Sequence, residues 1–372
     1  MIKVLSILGT RPEAIKMAPV LLELKRHPEH ITSCICVTAQ HRQMLDQVLS
    51  IFRLIPDYDL NVMQEAQSPT AVAATVLSKL EPILMAERPD WVLVQGDTTT
   101  LVAGALAAFY AKVKIGHVEA GMRTYDKTQP FPEEGHRRIA AAIADMHFAP
   151  TQEAFNNLLQ EHIPAENILL AGNTAIDALH AVTSLPYSAI AGPLTGIAWE
   201  KRIILVTTHR RENQGQPLES ICEALREIAL RYQQSVHIVY PVHMNPHIRK
   251  PVQHKLGDTR GITLTSPLDY LSLTHLLKRS YLVLTDSGGL QAEAPSLGKP
   301  LLVLRNTTEY KEAVAAGTSK LVGFNRQCIV EEVTRLLEDR DAYKKMARVI
   351  TSYGDGQAAK RIVAALMEPD GT

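Results

Sequence analysis

Short apolar runs that alternate with longer amphipathic stretches, almost from end to end, limit most severely what this chain can fold into. A parallel sheet needs a long crossover between neighbouring strands, and a helix is the usual one. Lys3 to Leu8, Ser33 to Thr38, Trp91 to Gln95 and Val113 to Val118 read as strands. Thr10-Arg-Pro-Glu13 is a capping box opening a helix to about Arg26, and further helical patterns cover Met44 to Phe52 and Thr70 to Glu87. Strand and helix units continue to about Val182. The periodicity then stops from Ser184 to Trp199, where Pro186, Gly192, Pro193 and Gly196 mark a linker.

A second alternating series begins at Ile203 to Val206. It runs through Val236 to Tyr240, Ile262 to Leu264, Tyr281 to Leu284, Leu301 to Leu304 and Lys320 to Val322. Helices near Ile329 to Leu337, Ala342 to Ile350 and Gln357 to Met367 complete it. The pattern predicts an α/β protein of two doubly wound, Rossmann-like domains, residues 1–183 and 200–354, facing a cleft. The 372 residues, 46% of them hydrophobic, supply two cores of ordinary size.

Charge excludes several classes of partner. Lys+Arg and Asp+Glu stand at 39 each, so no global field draws the chain to nucleic acid or an anionic membrane, and an anionic ligand must be held locally. Met1 leads directly into an apolar strand with no signal peptide, and no apolar run approaches the ~18 residues of a membrane span. A soluble, cytoplasmic protein is expected. The four cysteines form no CxxC, so Cys34, Cys36, Cys222 and Cys328 read as core thiols.

In open parallel sheets ligands sit beyond the carboxyl ends of the strands, which makes the polar residues there the site candidates. After the first strand come Arg11, Glu13 and Lys16; after the Trp91 strand, Gly96 to Thr100 with Asp97; after the Val113 strand, His117, Glu119 and Arg123 at the rim. A following loop carries Glu133, Glu134, His136 and Arg137. Each has a plainer role: Asp97 as a helix N-cap, Glu119 as a solvated loop carboxylate, Glu133 and Glu134 as an acidic first turn.

In the second half His209, Arg210 and Arg211 end one strand, and Asp286-Ser287-Gly288-Gly289 ends another before a helix. The two glycines are expected to let the backbone bend sharply and a phosphate approach the helix N-terminus, with Ser287 adding a hydroxyl and Glu293 reaching a ribose diol. A tight structural loop is the alternative. His243 and His247 have Pro246 between them and no carboxylate to complete a metal set. GxxxxGK[ST] and GxGxxG are both missing, which argues against an ATPase and a nicotinamide enzyme. A diphosphate site in one domain and several carboxylates in the other describe an enzyme acting on a nucleotide-linked small molecule.

At these residues the chain resembles the non-hydrolysing bacterial UDP-N-acetylglucosamine 2-epimerases. The resemblance is carried by GTRPEAIKMAP (Gly9 to Pro19), TAQHRQMLDQVL (Thr38 to Leu49), GDTTT, GHVEAGMRT (Gly116 to Thr124), FPEE (Phe131 to Glu134), GNTAIDAL (Gly172 to Leu179), THRREN (Thr208 to Asn213), YPVHMNP (Tyr240 to Pro246), LTDSGG (Leu284 to Gly289) and EAPSLGKP (Glu293 to Pro300). It implies a GT-B-type fold whose last helix, 355–367, returns to the first domain, and a homodimer without cofactor or metal. It also implies interconversion of UDP-GlcNAc and UDP-ManNAc for surface polysaccharide synthesis, through loss of the C2 proton, departure of UDP and its re-addition to 2-acetamidoglucal.

The roles it implies are acid/base work for Asp97, Glu119 and Glu133, leaving-group stabilisation for His209, diphosphate binding for Ser287, Gly288 and Gly289, and ribose binding for Glu293. Arg11, Lys16 and Arg210 are further substrate contacts. Some members bind a second UDP-GlcNAc as activator, matched here by Gln40, His41, Gln43 and His243, although Ala66-Gln67-Ser68-Pro69 supplies no arginine. His136, Ala292 and Tyr310-Lys311 depart from the family's usual Asn, Glu and Arg-Pro. A hydrolysing relative, a glycosyltransferase of the same fold and a non-catalytic nucleotide-sugar sensor are the competing readings.

Overall fold

The computed structural model describes residues 1–39, 42–63, 67–188 and 192–368. The chain divides into two compact units: Met1–Ala181 with the chain from Tyr353 onward, and Val182–Ser352. Both are parallel α/β units.

Among the described residues the first unit's strands are β1 (Ile2–Leu8), β2 (Ile31–Val37), β3 (Tyr58–Asp59), β4 (Trp91–Gln95), β5 (Lys114–Val118), β6 (Met146–Ala149) and β7 (Ile168–Leu170). They lie parallel in the order β3-β2-β1-β4-β5-β6-β7. The chain winds outward from β1 to β3, then returns to pair β4 on the other side of β1, with Val4 opposite Trp91. That reversal leaves a crevice at the carboxyl ends of β1 and β4. The short edge strand β3 was not legible as an apolar run, because only Tyr58 and Asp59 pair, opposite Cys36 and Val37.

In the second unit β8 (Arg202–Thr207), β9 (Val236–Pro241), β10 (Ile262–Thr265), β11 (Leu282–Thr285), β12 (Leu301–Val303) and β13 (Ser319–Leu321) take the order β10-β9-β8-β11-β12-β13. Here the reversal falls between β8 and β11, where Thr207 stands opposite Thr285. The strand-end residues singled out in the sequence therefore cluster at both reversals.

Burial explains why the strands read as unbroken apolar runs. Leu5, Ile7, Val92 and Val94 in the first unit, and Ile204, Val206, Leu282 and Leu284 in the second, are shut off from water. Helix Thr99–Tyr110 lies close on the first sheet: a Cβ on Gly104 would come within 3.1 Å of Val94 and 3.3 Å of Ile7. Cys34, Cys36 and Cys222 are buried free thiols. No helix among the described residues is long and apolar enough to cross a membrane.

Helix Ala358–Met367 packs within the first unit against helix Arg11–Leu24, burying Ile362, Val363 and Leu366. Asp177 accepts the Ala359 N–H at 2.9 Å, and Arg361 donates to the Ala171 carbonyl at 3.0 Å. The aperiodic stretch before β8 belongs to the second unit. Tyr187 stacks on His275 with ring centroids 4.7 Å apart, Lys278 donates to the Thr183 carbonyl, and Leu194 and Ile197 are buried.

Candidate functional site

In the first unit the turn after β1 is built by the capping box expected from sequence. Glu13 Oε2 accepts the Gly9 and Thr10 N–H groups at 3.0 and 2.7 Å, while Oε1 accepts the Thr98 hydroxyl at 2.6 Å. Burial pushes the Glu13 carboxyl up in pKa, against the pull of these bonds. Glu13 thereby ties the turn after β1 to the turn after β4.

Asp97 stands on that second turn, but it is not the helix cap. Thr98 takes that role, its hydroxyl accepting the Leu101 N–H at 3.1 Å. The Asp97 carboxylate instead receives Arg137 through Nε and Nη2 at 3.0 and 2.9 Å. The Asp97 carbonyl lies 2.7 Å from His136 Nδ1; a carbonyl only accepts, so Nδ1 carries the proton.

Glu119 follows β5 with φ of +65°, a left-handed conformation that is uncommon for a residue with a side chain. Such backbone strain, about 1–3 kcal/mol, concentrates where function demands a position. Its carboxylate accepts Lys16 Nζ at 2.5 and 2.6 Å and Gln95 Nε2 at 2.5 Å. Lys16, expected as a substrate contact, is thus paired with Glu119. Arg11 is half-buried at the start of helix Arg11–Leu24.

The two adjacent glutamates of helix Glu133–Ile143 do different work. Glu134 is fully buried and binds the Thr124 and Tyr125 N–H groups at 3.0 and 3.2 Å as well as Arg137 and Arg138. Glu133 shares a helix face with His136 and Arg137, three and four residues on, the two side chains that reach Asp97. Its Oε2 is buried and has no hydrogen-bond partner among the described residues. A buried acceptor left so costs about 1–3 kcal/mol, and a ligand donor would remove that cost.

Two rim candidates are corrected by burial. His117 points inward, its Nε2–H donating to the Gly96 carbonyl at 2.9 Å, and burial pushes its pKa down to about 3, so the ring is neutral and supports the Asp97 turn. The Arg123 side chain is wholly buried and held by Glu161 at 2.8 and 2.7 Å. Strand alternation sets these directions, and a strand-end position alone does not reveal them.

In the second unit Asp286, fully buried at the end of β11, organises the loop after β8. Its carboxylate accepts the His209 N–H at 3.1 and 3.0 Å, the Arg210 N–H at 3.0 Å and Asn213 Nδ2 at 2.9 Å, and pairs with His209 Nδ1 at 3.1 Å. Burial alone would raise this carboxyl; the bonds and charge of His209 and the Arg210 N–H bring its pKa below the ordinary value. With Nδ1 fixed, the exposed imidazole of His209 has Nε2 left for a ligand. Arg210 donates to the Asp286 carbonyl at 3.2 Å and meets Glu309 at 3.4 Å. The orienting roles of Asp286, Arg137 and Gln95 escaped the sequence reading; a buried Asp at a strand end with no helix of its own to cap was the available signal.

Ser287 occupies the N-cap position of helix Gly288–Ser296 yet makes no capping hydrogen bond. The first-turn N–H groups therefore have no side-chain cap, the condition under which a helix N-terminus can receive an anion. The expected reason for the glycines is corrected: neither Gly288 nor Gly289 has positive φ. A Cβ on Gly289 would enter open space, whereas one on Gly288 would meet the Tyr310 ring at 3.3 Å. Glycine here leaves room rather than bending the chain.

Glu293, on the same helix, is buried and accepts the Tyr270 hydroxyl at 3.4 Å. The His243 ring lies 6.2 Å from that of His209, and its Nδ1 accepts the Asn245 N–H at 3.1 Å. Gln40 and His41 lie outside the described residues, as does the Gln43 side chain.

Known proteins were compared with this chain. The family described as UDP-N-acetylglucosamine 2-epimerase matches residues 22–367. A UDP-N-acetylglucosamine 2-epimerase of Salmonella typhimurium strain LT2 is 51% identical over 370 residues, covering 98% of both chains. The crystal structure of UDP-GlcNAc 2-epimerase from Neisseria meningitidis bound to UDP-GlcNAc superposes with a TM-score of 0.90 at 48% identity, covering 99% of this chain and 100% of that one. The glycotransferase of kitacinnamycin, at 12% identity and a TM-score of 0.65 over 98% of this chain and 99% of its own, shares the fold alone.

Proposed function

Because this chain belongs to the UDP-N-acetylglucosamine 2-epimerase family, we propose that it interconverts UDP-GlcNAc and UDP-ManNAc without hydrolysis, by eliminating and re-adding UDP. The observation that carries the reading is Glu133, whose buried Oε2 has no hydrogen-bond partner among the described residues, whereas Glu119 and Asp97 are matched by Lys16 and Arg137. The C2 hydrogen of the sugar is not beside a carbonyl, so its simple removal would leave an unstabilised carbanion. Elimination avoids this. A base takes the C2 proton, the electron pair forms the C1=C2 bond, and the C1–O bond breaks with its electrons going to the β-phosphate of UDP. UDP then adds back to C1 of 2-acetamidoglucal while a proton arrives at the opposite face of C2.

The first unit supplies the acid/base groups: Glu133, with Glu119 paired to Lys16 and Asp97 paired to Arg137. The second unit supplies what a departing diphosphate needs, through the Ser287–Gly289 helix end, His209 aligned by Asp286, and Arg210. Glu293 binds the ribose and Arg11 the substrate. No redox cofactor enters this chemistry. A cytoplasmic homodimer serving surface polysaccharide synthesis is the setting we propose.

Two outcomes follow. Product made in D2O from UDP-GlcNAc alone is expected to carry deuterium at C2 by NMR, with UDP-ManNAc as the new sugar. Retention of hydrogen at C2 would sink the elimination route, and free ManNAc or a transferred sugar would favour a hydrolase or a glycosyltransferase. Gly288→Val is expected to weaken UDP binding about tenfold, since a branched side chain must stand against Tyr310 at the helix end. Parent-like affinity in calorimetry of the folded variant would make this turn merely structural.

A further inference from the structure

Tyr310 stands where the anion-binding end of helix Gly288–Ser296 opens. An ideal Cβ on Gly288 would lie 3.3 Å from Tyr310 Cε2 and 3.5 Å from its hydroxyl, so the phenol edge occupies the flank of the first helical residue. The loop bearing it is tied to that same helix. The Tyr310 N–H donates to the Thr308 hydroxyl at 3.1 Å, and that hydroxyl donates to Gln291 Oε1 at 2.5 Å, three residues into the helix. Beside Tyr310, Glu309 is held by Arg305 at 2.8 Å and by Arg210 at 3.4 Å. Against the desolvation that would raise it, its own backbone N–H and these two cations bring the Glu309 carboxyl below its ordinary pKa. The loop is thus pinned at both ends of its contact with the turn, and the phenol ring is half-buried there.

We propose that Tyr310 is a binding residue for the sugar diphosphate, its hydroxyl donating to a phosphate oxygen held at the Ser287–Gly289 helix end. The inference rests on the reading of that turn as the diphosphate site. A phenol suits this position for two reasons. Its O–H is a good donor to a phosphate oxygen, and charge-assisted bonds of this kind are stronger than neutral ones. Its rigid ring also brings that donor to the helix end at small entropic cost, because the ring packs on a residue with no side chain. Gly288 and Tyr310 then form one device: the missing side chain makes room for the ring, and the ring carries the donor.

Calorimetry with UDP on three folded chains tests this. The parent is expected to bind UDP; Tyr310→Phe, which keeps the ring and loses the oxygen, is expected to bind about tenfold more weakly, and Tyr310→Leu about as weakly as Phe. Parent-like affinity in Tyr310→Phe overturns the proposal, and if Leu alone is weak the ring acts only by packing. Should the parent itself fail to bind UDP, the nucleotide reading falls first and this inference with it. A parent that binds while Phe does not differ is the separate failure of Tyr310 alone.

Discussion

Glu133→Gln is expected to lower turnover ~100-fold or more while leaving UDP affinity and folding close to the parent's, with kcat and a calorimetric titration as the measurements. The change is unusually clean at this position, because Oε2 has no hydrogen-bond partner to lose among the described residues. Asp97→Asn and Glu119→Gln should also cost ~100-fold or more. Their interpretation differs, since Asp97→Asn weakens the hold on Arg137 and Glu119→Gln leaves Lys16 without its counter-charge. One carboxylate cannot serve both faces of C2 unless the sugar turns over. At least one of the three variants should therefore release 2-acetamidoglucal and UDP, which escape when the site can eliminate but cannot reprotonate. Near-parent rates in all three would return these residues to structural roles, and His209 would become the candidate base. His117 is a poorer alternative: its ring is buried, its Nε2–H is committed to the Gly96 carbonyl, and desolvation lowers its pKa to about 3, which makes it a weak base.

What the sequence disclosed and what it hid divide along a physical line. Strand and helix order was legible because parallel strands buried on both faces are apolar throughout, as Leu5, Ile7, Val92 and Val94 are, and because Thr10 and Glu13 announce a helix start. The strand ends and the helix starts beyond them supplied the candidate residues. Their partners did not, because the groups that pair come from distant segments: Lys16 with Glu119, Asp97 with Arg137, His209 with Asp286. Sequence left Glu133 and Glu134 alike, and only the fold gives one four hydrogen-bonded partners and leaves the other with a bare oxygen. The glycines of the helix end were read for a sharp bend and for close approach of a phosphate; their φ values remove the bend, and the neighbouring Tyr310 ring adds a reason at Gly288. Such neighbours have no signature in local pattern.

Asp286→Asn is expected to be the most damaging change in the second unit. The carboxylate accepts the His209 and Arg210 N–H groups and Asn213 Nδ2 and pairs with His209 Nδ1, so it meets donors on every side. An amide offers one acceptor and turns its own NH2 toward donors, and each buried donor left without a partner in this way costs about 1–3 kcal/mol. His209 would also lose the partner that fixes its tautomer, and turnover should fall ~100-fold or more. The pH dependence has a definite sign. The folded-state pKa of Asp286 lies below the ordinary Asp value of about 3.9, so the stability it contributes is fully present above that value and is lost as pH falls through the depressed folded one. Melting curves of parent and variant should therefore be furthest apart near neutrality and converge on acidification. A gap that stayed constant down to about pH 3 would mean the buried charge is not what holds the loop. Parent-like turnover in a folded Asp286→Asn protein would mean that His209 needs no alignment to act on the leaving group.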